Sequence, residues 1–214
     1  MSLLLDGRVG MEDLQVQVYS IAQEQINAYV AAEETYGQAL DTKLATYDDY
    51  MREVGPVTVE RFDPRNIHNG HRPSMIEAPI DEYPSMSVMT MITMPNPVNS
   101  NADYGHSLSI RMAIEAIVKS GPYREDRPDV DKIGEDIVGR RIKRTAEAIF
   151  KMMDENRAVG GLFLPPDLPP TITIGDIFVR QEDGPSGTGS RWYWQGVRIE
   201  WLFAKQTVAN IDQY

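Results

Sequence analysis

In "QEDGPSGTGSRWYWQG", Gly184 to Ser190 are all small apart from one proline, and Gly184 and Gly189 stand five apart, as in a loop that cradles phosphate. Such a loop needs a strand before it, G-x-x-x-x-G-K-[S/T] at its end and a helix after it. Backbone amides and the helix N-terminus then meet the phosphates while the lysine neutralises them. Here the lysine position is Ser190, and the residues beyond, Tyr193, Val197, Ile199, Trp201 and Phe203, are aromatic or β-branched at strand spacing, with Gly196 a natural place for a bulge. The sequence predicts the tip of a hairpin, with Gly184, Gly187 and Gly189 offering positive φ and solvated backbone. A nucleotide-hydrolysing enzyme is the alternative.

Three further groups could carry chemistry. His68 and His71 stand three apart in "IHNGHRP", with His106 distant and Asp63 and Glu77 as further donors, but a metal needs three or four ligands in fixed geometry. That spacing imposes none, and a polar loop whose histidines cap turns or meet a neighbouring chain is the simpler reading. Met86, Met89, Met91 and Met94 fall on both faces of one strand and read as core and interface filler. Arg140, Arg144 and Lys151, flanked by Arg141 and Lys143, lie opposite the apolar stripe of one helix. They form a solvated face held by pairs such as Asp136 with Arg140, or they meet an acidic neighbour, for which the N-terminal helix of an adjacent subunit is the candidate. DNA is the third choice, because a net charge of −11 disfavours a grip built on phosphate neutralisation. The chain has no cysteine, which removes disulfides, thiolate metal sites and cysteine nucleophiles together. No nucleophile or carboxylate pair stands out, so neither catalysis nor a cofactor is expected.

These groups need elements to position them. From Met11 to about Arg52 there is no proline and one glycine, Gly37, and Leu14, Val18, Ala22, Tyr29, Ala32, Tyr36, Leu40, Leu44, Tyr47 and Met51 keep to one helical stripe. Continuous, this helix would run roughly 60 Å, longer than the roughly 40 Å of a compact domain made from the rest. It therefore overhangs its domain, or Gly37 folds it into a hairpin. An overhanging stripe needs a partner, and Tyr29, Tyr36, Leu40 and Tyr47 are the candidate contacts with a neighbouring subunit. Residues 1–55 form an acidic helical arm, with ten acids against three bases.

A proline-punctuated connector follows at 56–84, with a short strand expected at Val57 to Phe62. The period then becomes two in "YPSMSVMTMITMP" and "HSLSIRMAIEAIVKSG", predicting adjacent antiparallel strands. A helix follows with Val138, Ile142, Ala146, Ile149 and Met153 on one face, Asp129 as N-cap and Gly160 as stop. Two more strands close residues 85–206, before a tail at 207–214. The fold class is α+β: a long N-terminal helix, then a mostly antiparallel β-β-α-β-β sheet with one main helix packed on it. With no apolar run near 18 residues, a soluble, cytosolic product and no membrane partner are expected.

The runs "APIDEYPSMSVM", "SLSIRMAIEAIV", "IVGRRIKRTAEAIFKMMDENRAVGG" and "RWYWQGVRIEWLFAK", over roughly residues 74–206, resemble the tail terminator proteins of long-tailed bacteriophages and related neck proteins. The resemblance implies an α+β subunit of a hexameric ring that caps the tail tube and joins it to the head connector. The genome passes through its axial channel without specific binding, and the location is the virion's head–tail joint. Under it, Arg140 and Arg144 and the loop with Gly184, Gly187 and Gly189 become contacts with neighbouring subunits or rings. The long acidic helix and the connector depart from the smaller terminators, so a connector or stopper position is the alternative.

Overall fold

A computed structural model of the 214-residue chain describes residues 11–70, 82–95, 108–124, 129–159, 162–164, 168–182 and 189–204. Helix α1 (Met11–Leu44) and short helix α2 (Asp49–Val54) lead through a single 3-10 turn at Pro64–Asn66 to strand β1 (Ile67–Asn69). Strands β2 (Ser85–Pro95) and β3 (Leu108–Arg124), helix α3 (Val130–Glu155), the two-residue strands β4 (Ala158–Val159) and β5 (Leu162–Phe163), and the final pair β6 (Thr171–Glu182) and β7 (Ser190–Ala204) follow. The α+β class stands, with a long N-terminal helix and one main helix on a mixed sheet.

The sheet runs β1-β2-β3-β7, with β6 along the far edge of β7 and β5 meeting the end of β7 at Ala204. All pairings are antiparallel except β1 with β2, which is parallel and makes the sheet mixed. Alternation along β3 turns Ile110, Met112, Ile114, Ala116 and Val118 toward the helices, and register sets Phe203, Trp201, Ile199 and Val197 of β7 beside the first four. One core joins these to Leu14, Val18, Ile26 and Val30 of α1 and to Val138, Ile142, Ala146, Ile149 and Met153 of α3, the face expected from the sequence. Each Leu, Val, Ile, Met or Phe among these, fully buried, stabilises the fold by about 1.5–3 kcal/mol. Helix α1 lies over β1 and β2 and α3 over β3 and β7, and neither packs over β6.

Several expectations change. Helix α1 passes through Gly37 without a break and stops at Leu44, so it is neither a hairpin nor a helix to Arg52. A turn closes it through the Tyr47 amide on the Leu44 carbonyl, and Asp48 caps α2 by accepting from the Tyr50 amide at 2.9 Å. Residues Val57 to Phe62 form no strand. Their amides go instead to α1 side chains: Val57 to Asp41 at 3.0 Å, Val59 to Glu34 at 3.1 Å and Phe62 to Asn27 at 2.8 Å. Asn27, Glu34 and Asp41 are seven apart, two helical turns each, so the connector is laced back along α1 with Val57, Val59 and Phe62 buried.

Asp129 stands at the N-cap of α3 in the left-handed region, φ 62°, and its side chain makes no capping bond. The helix stops at Glu155, before Gly160, which lies outside the described residues. The bulge is not on β7, whose register with β3 continues through Gly196. It lies on β6, where Gly175 and Asp176 together face that glycine. Met86 and Met89 are buried on opposite faces of β2, as expected, while the side chain of Met94 lies outside the described residues.

Candidate contact surface

The buried line of α1, Leu14, Val18, Ala22, Ile26 and Val30, continues at helical spacing into Glu33, Gly37 and Asp41. A core-facing stripe thus turns polar half-way along the helix, where it meets the basic residues of α3. Arg144 reaches Asp41 at 2.6 Å and donates to the Val57 carbonyl at 2.6 Å, while Arg140 lies 3.5 Å from the other Asp41 oxygen and also bonds Asp136. Arg141 donates to the Thr58 carbonyl at 2.9 Å and pairs with Glu60 at 3.2 Å, and Lys151 pairs with Glu33. The Asp41 side chain is 4% exposed, so this pairing is internal. A Cβ on Gly37 would fall 2.1 Å from Arg144 Nε, which shows why a glycine is there: the guanidinium lies across the helix backbone.

These contacts revise both sequence readings of the basic face. The expected Asp136–Arg140 pair is present and Lys143 and Lys151 are exposed, but the three arginines are turned inward, and Asp41, the acidic neighbour of Arg140 and Arg144, belongs to α1 of the same chain. Of the four residues considered for DNA, Arg140, Arg141 and Arg144 are engaged in the fold and Lys143 is exposed. Tyr29, expected at a subunit contact, is half-buried and donates to Glu155, whose carboxylate pushes the phenol above its usual range. The Glu33 carboxylate likewise raises Lys151.

The other three helix candidates behave differently. Tyr36 is 70% exposed, Leu40 46% and Tyr47 83%, and Leu44 continues the row at 43%. Helix α1 does not overhang here, because its inner side is held to α3 through Asp41. The same stretch carries an apolar row that stays largely exposed among the described residues, along the edge of the cleft between α1 and α3. Tyr36, Leu40 and Leu44 form one wall of an open groove of about 320 Å³, with Lys143 and Glu147 opposite and the Asp41–Arg144 pair below. Nothing in this groove pairs a nucleophile with a base, and its charged floor is already neutralised. Its chemistry is that of apolar contact.

A second apolar surface that stays largely exposed among the described residues lies on β6. Register puts Ile172 beside Ile199, Ile174 beside Val197, Ile177 beside Gln195 and Val179 beside Tyr193, so all four face the helix side of the sheet. Elsewhere on that side such residues are core; here Ile172, Ile174 and Val179 are 48%, 43% and 51% exposed. The opposite face of β6 exposes Phe178. The sequence predicts β6 only as a strand. Its signal was "TITIGDIFVR", an apolar alternation that gives no hint of whether a helix lies over it.

Gly184 and Gly187 lie outside the described residues, while Gly189 is buried. Pairing of Glu182 with Ser190 brackets the glycine segment between antiparallel strands, and β7 stands where a phosphate loop requires a helix. The start of β7 is anchored. Tyr193 donates to Asp131 at 2.6 Å, Arg191 pairs with the same carboxylate at 2.6 Å, and the Tyr193 ring covers Gly134, where a Cβ would fall 2.2 Å from it. Burial and Asp131 together push the Tyr193 phenol up to about 12, and its hydrogen bond and Arg191 lower Asp131. His68 lies in β1, not in a loop, and His71 and His106 lie outside the described residues. Asp63 is committed to Arg65, which holds its carboxyl down at about 2. Among the described residues no three histidines or carboxylates converge as a metal site requires, and no helix is long and apolar enough to cross a membrane.

No protein-family model matches this chain, and no curated protein matches it.

Proposed function

We propose that this chain is a structural, non-enzymatic subunit of a homo-oligomeric ring at the head–tail joint of a long-tailed phage. There it caps the tail tube, joins it to the head connector and leaves a channel for the genome. The observation that carries the oligomer is the pair of apolar rows left exposed among the described residues, Tyr36, Leu40 and Leu44 on α1 with Tyr47 in the turn after it, and Ile172, Ile174 and Val179 on β6. Isolated exposed apolar residues are ordinary, whereas two ordered rows, one on a helix and one on a strand, are surfaces for contact. The resemblance over residues 74–206 supplies the place and the six-fold count. The negative charge suits a channel that must release DNA, because like charge discourages sticking.

A connector or stopper ring in the same neck is the second reading, favoured by the 34-residue α1 and the connector laced to it, which the smaller terminators lack. Light scattering at high concentration and electron microscopy of the purified protein test the oligomer, with a ring expected; a strict monomer counts against both readings. Labelled protein located in assembled particles separates the two, at the tail-tube end for a terminator and nearer the head for a connector or stopper.

A further inference from the structure

The chain holds one Asn-Gly pair, Asn69-Gly70, at the end of β1. Asparagine followed by glycine is the pair most prone to imide formation, because a glycine amide has no Cβ to shield it and a backbone free to turn into the ring. Asn69 is exposed and, among the described residues, β1 is an edge of the sheet, so water reaches this side chain. Both reacting groups are nevertheless held. The Gly70 amide donates to the Val88 carbonyl at 2.8 Å, and the Asn69 side-chain oxygen accepts from Gln15 Nε2 of α1 at 2.6 Å. The oxygen of the same Gln15 amide accepts from the Thr90 amide at 2.8 Å and from the Thr90 hydroxyl at 3.0 Å, so one side chain of α1 fastens β1 and β2 together.

We propose that Asn69 is a deamidation site gated by the seating of α1 on β1 and β2. Attack of the Gly70 nitrogen on Asn69 Cγ forms the N–Cγ bond of a succinimide and breaks the Cγ–Nδ2 bond, and the amide proton leaves with that nitrogen as ammonia. Water then opens the imide at one carbonyl or the other, giving aspartate or isoaspartate. The first step is closed to the folded pair. The attacking amide keeps its proton in the bond to Val88, the extended strand holds its nitrogen away from Cγ, and Gln15 fixes the side chain. Release needs a local opening in which Gln15 lets go and a three-residue edge strand leaves β2, and such openings cost less than global unfolding. The reaction then runs one way. Either product sets a carboxylate beside Gln15, and isoaspartate also adds a methylene to the main chain at position 69, where the register of β1 on β2 is uninterrupted. Asn69 thus records how often the start of α1 lifts from the sheet.

Peptide mass mapping of the full chain, incubated in mildly alkaline buffer with and without urea, tests this. Deamidation at Asn69 should be fast in the urea-unfolded chain and at least roughly tenfold slower in the native protein. Gln15→Ala should raise the native rate by roughly tenfold, the effect of losing about one hydrogen bond. A second measurement needs no substitution: in urea too dilute to unfold the protein, hydrogen exchange at the Gly70 amide and deamidation at Asn69 should rise together. No deamidation at Asn69 in the unfolded chain overturns the site. Equal rates in native and unfolded protein overturn the gate. A native rate that Gln15→Ala leaves unchanged, or that does not follow Gly70 exchange, overturns its assignment to the seating of α1.

Discussion

Asp41 serves two guanidinium groups and the Val57 amide from a position 4% exposed, tying α1, the connector and α3 through one carboxylate. Removing one partner of such a set leaves the others buried and unsatisfied, which costs more than the set contributes. Asp41→Ala should lower stability by about 3 kcal/mol in urea unfolding, with Arg144→Met together with Asp41→Leu costing less than either change alone. Tyr193 gives a second expectation at this scale. Its folded-state phenol is raised to about 12 from an ordinary 10, so the stability it contributes is complete below pH 10 and lost as pH rises toward 12. Thermal unfolding followed through that window should show a steep fall in the native protein, and Tyr193→Phe should flatten it.

Among the elements, α1 is where glycine and helix propensity oppose each other. Alanine is the better helix former by about 1 kcal/mol, yet at position 37 its methyl would displace the Arg144 guanidinium. Because Arg144 is fixed by both Asp41 and the Val57 carbonyl, Gly37→Ala should destabilise by about 2 kcal/mol net, despite the propensity gain. Restoration of stability by Arg144→Ala in the same chain would identify the clash as the cause. This is also where the sequence was hardest to read. Period-two and period-3.6 patterns announced β2, β3, α3 and β7, since each buries a face against the core, while β6 shows the same alternation with its inward face exposed. The Glu33–Gly37–Asp41 continuation of the α1 stripe was invisible because its partners are charged, and a hydrophobic count pointed instead to Tyr36 and Leu40, which stay largely exposed. The lacing of the connector was missed for a related reason. Asn27, Glu34 and Asp41 look like surface residues until their heptad spacing is set against three amides of an irregular segment.

For the molecule as a whole, helix α1 is at one end of the helix layer, β6 lies beyond the other end, and one core joins the elements between them. The candidate site was half legible on the same terms. The exposed row on α1 followed from helical period, whereas the β6 face required knowing that the helix layer stops short, a fact of topology that no local window contains. Of the glycine segment, lysine loss and the strand character of β7 were legible, and pairing across it agrees.

The two-residue bulge at Gly175 and Asp176 has a consequence for the fate of the protein in concentrated solution. Among the described residues β6 has no strand on its outer edge, and an uninterrupted twelve-residue edge of this composition is a template for cross-β growth. The bulge cuts it into Thr171–Ile174 and Ile177–Glu182, leaving no unbroken run of seven residues in one register. Deleting Asp176 should restore continuous register and promote thioflavin-positive fibrils, seen as turbidity that grows faster on storage than in the parent protein. What interrupts the strand locally thus shortens the edge on which another chain could pair.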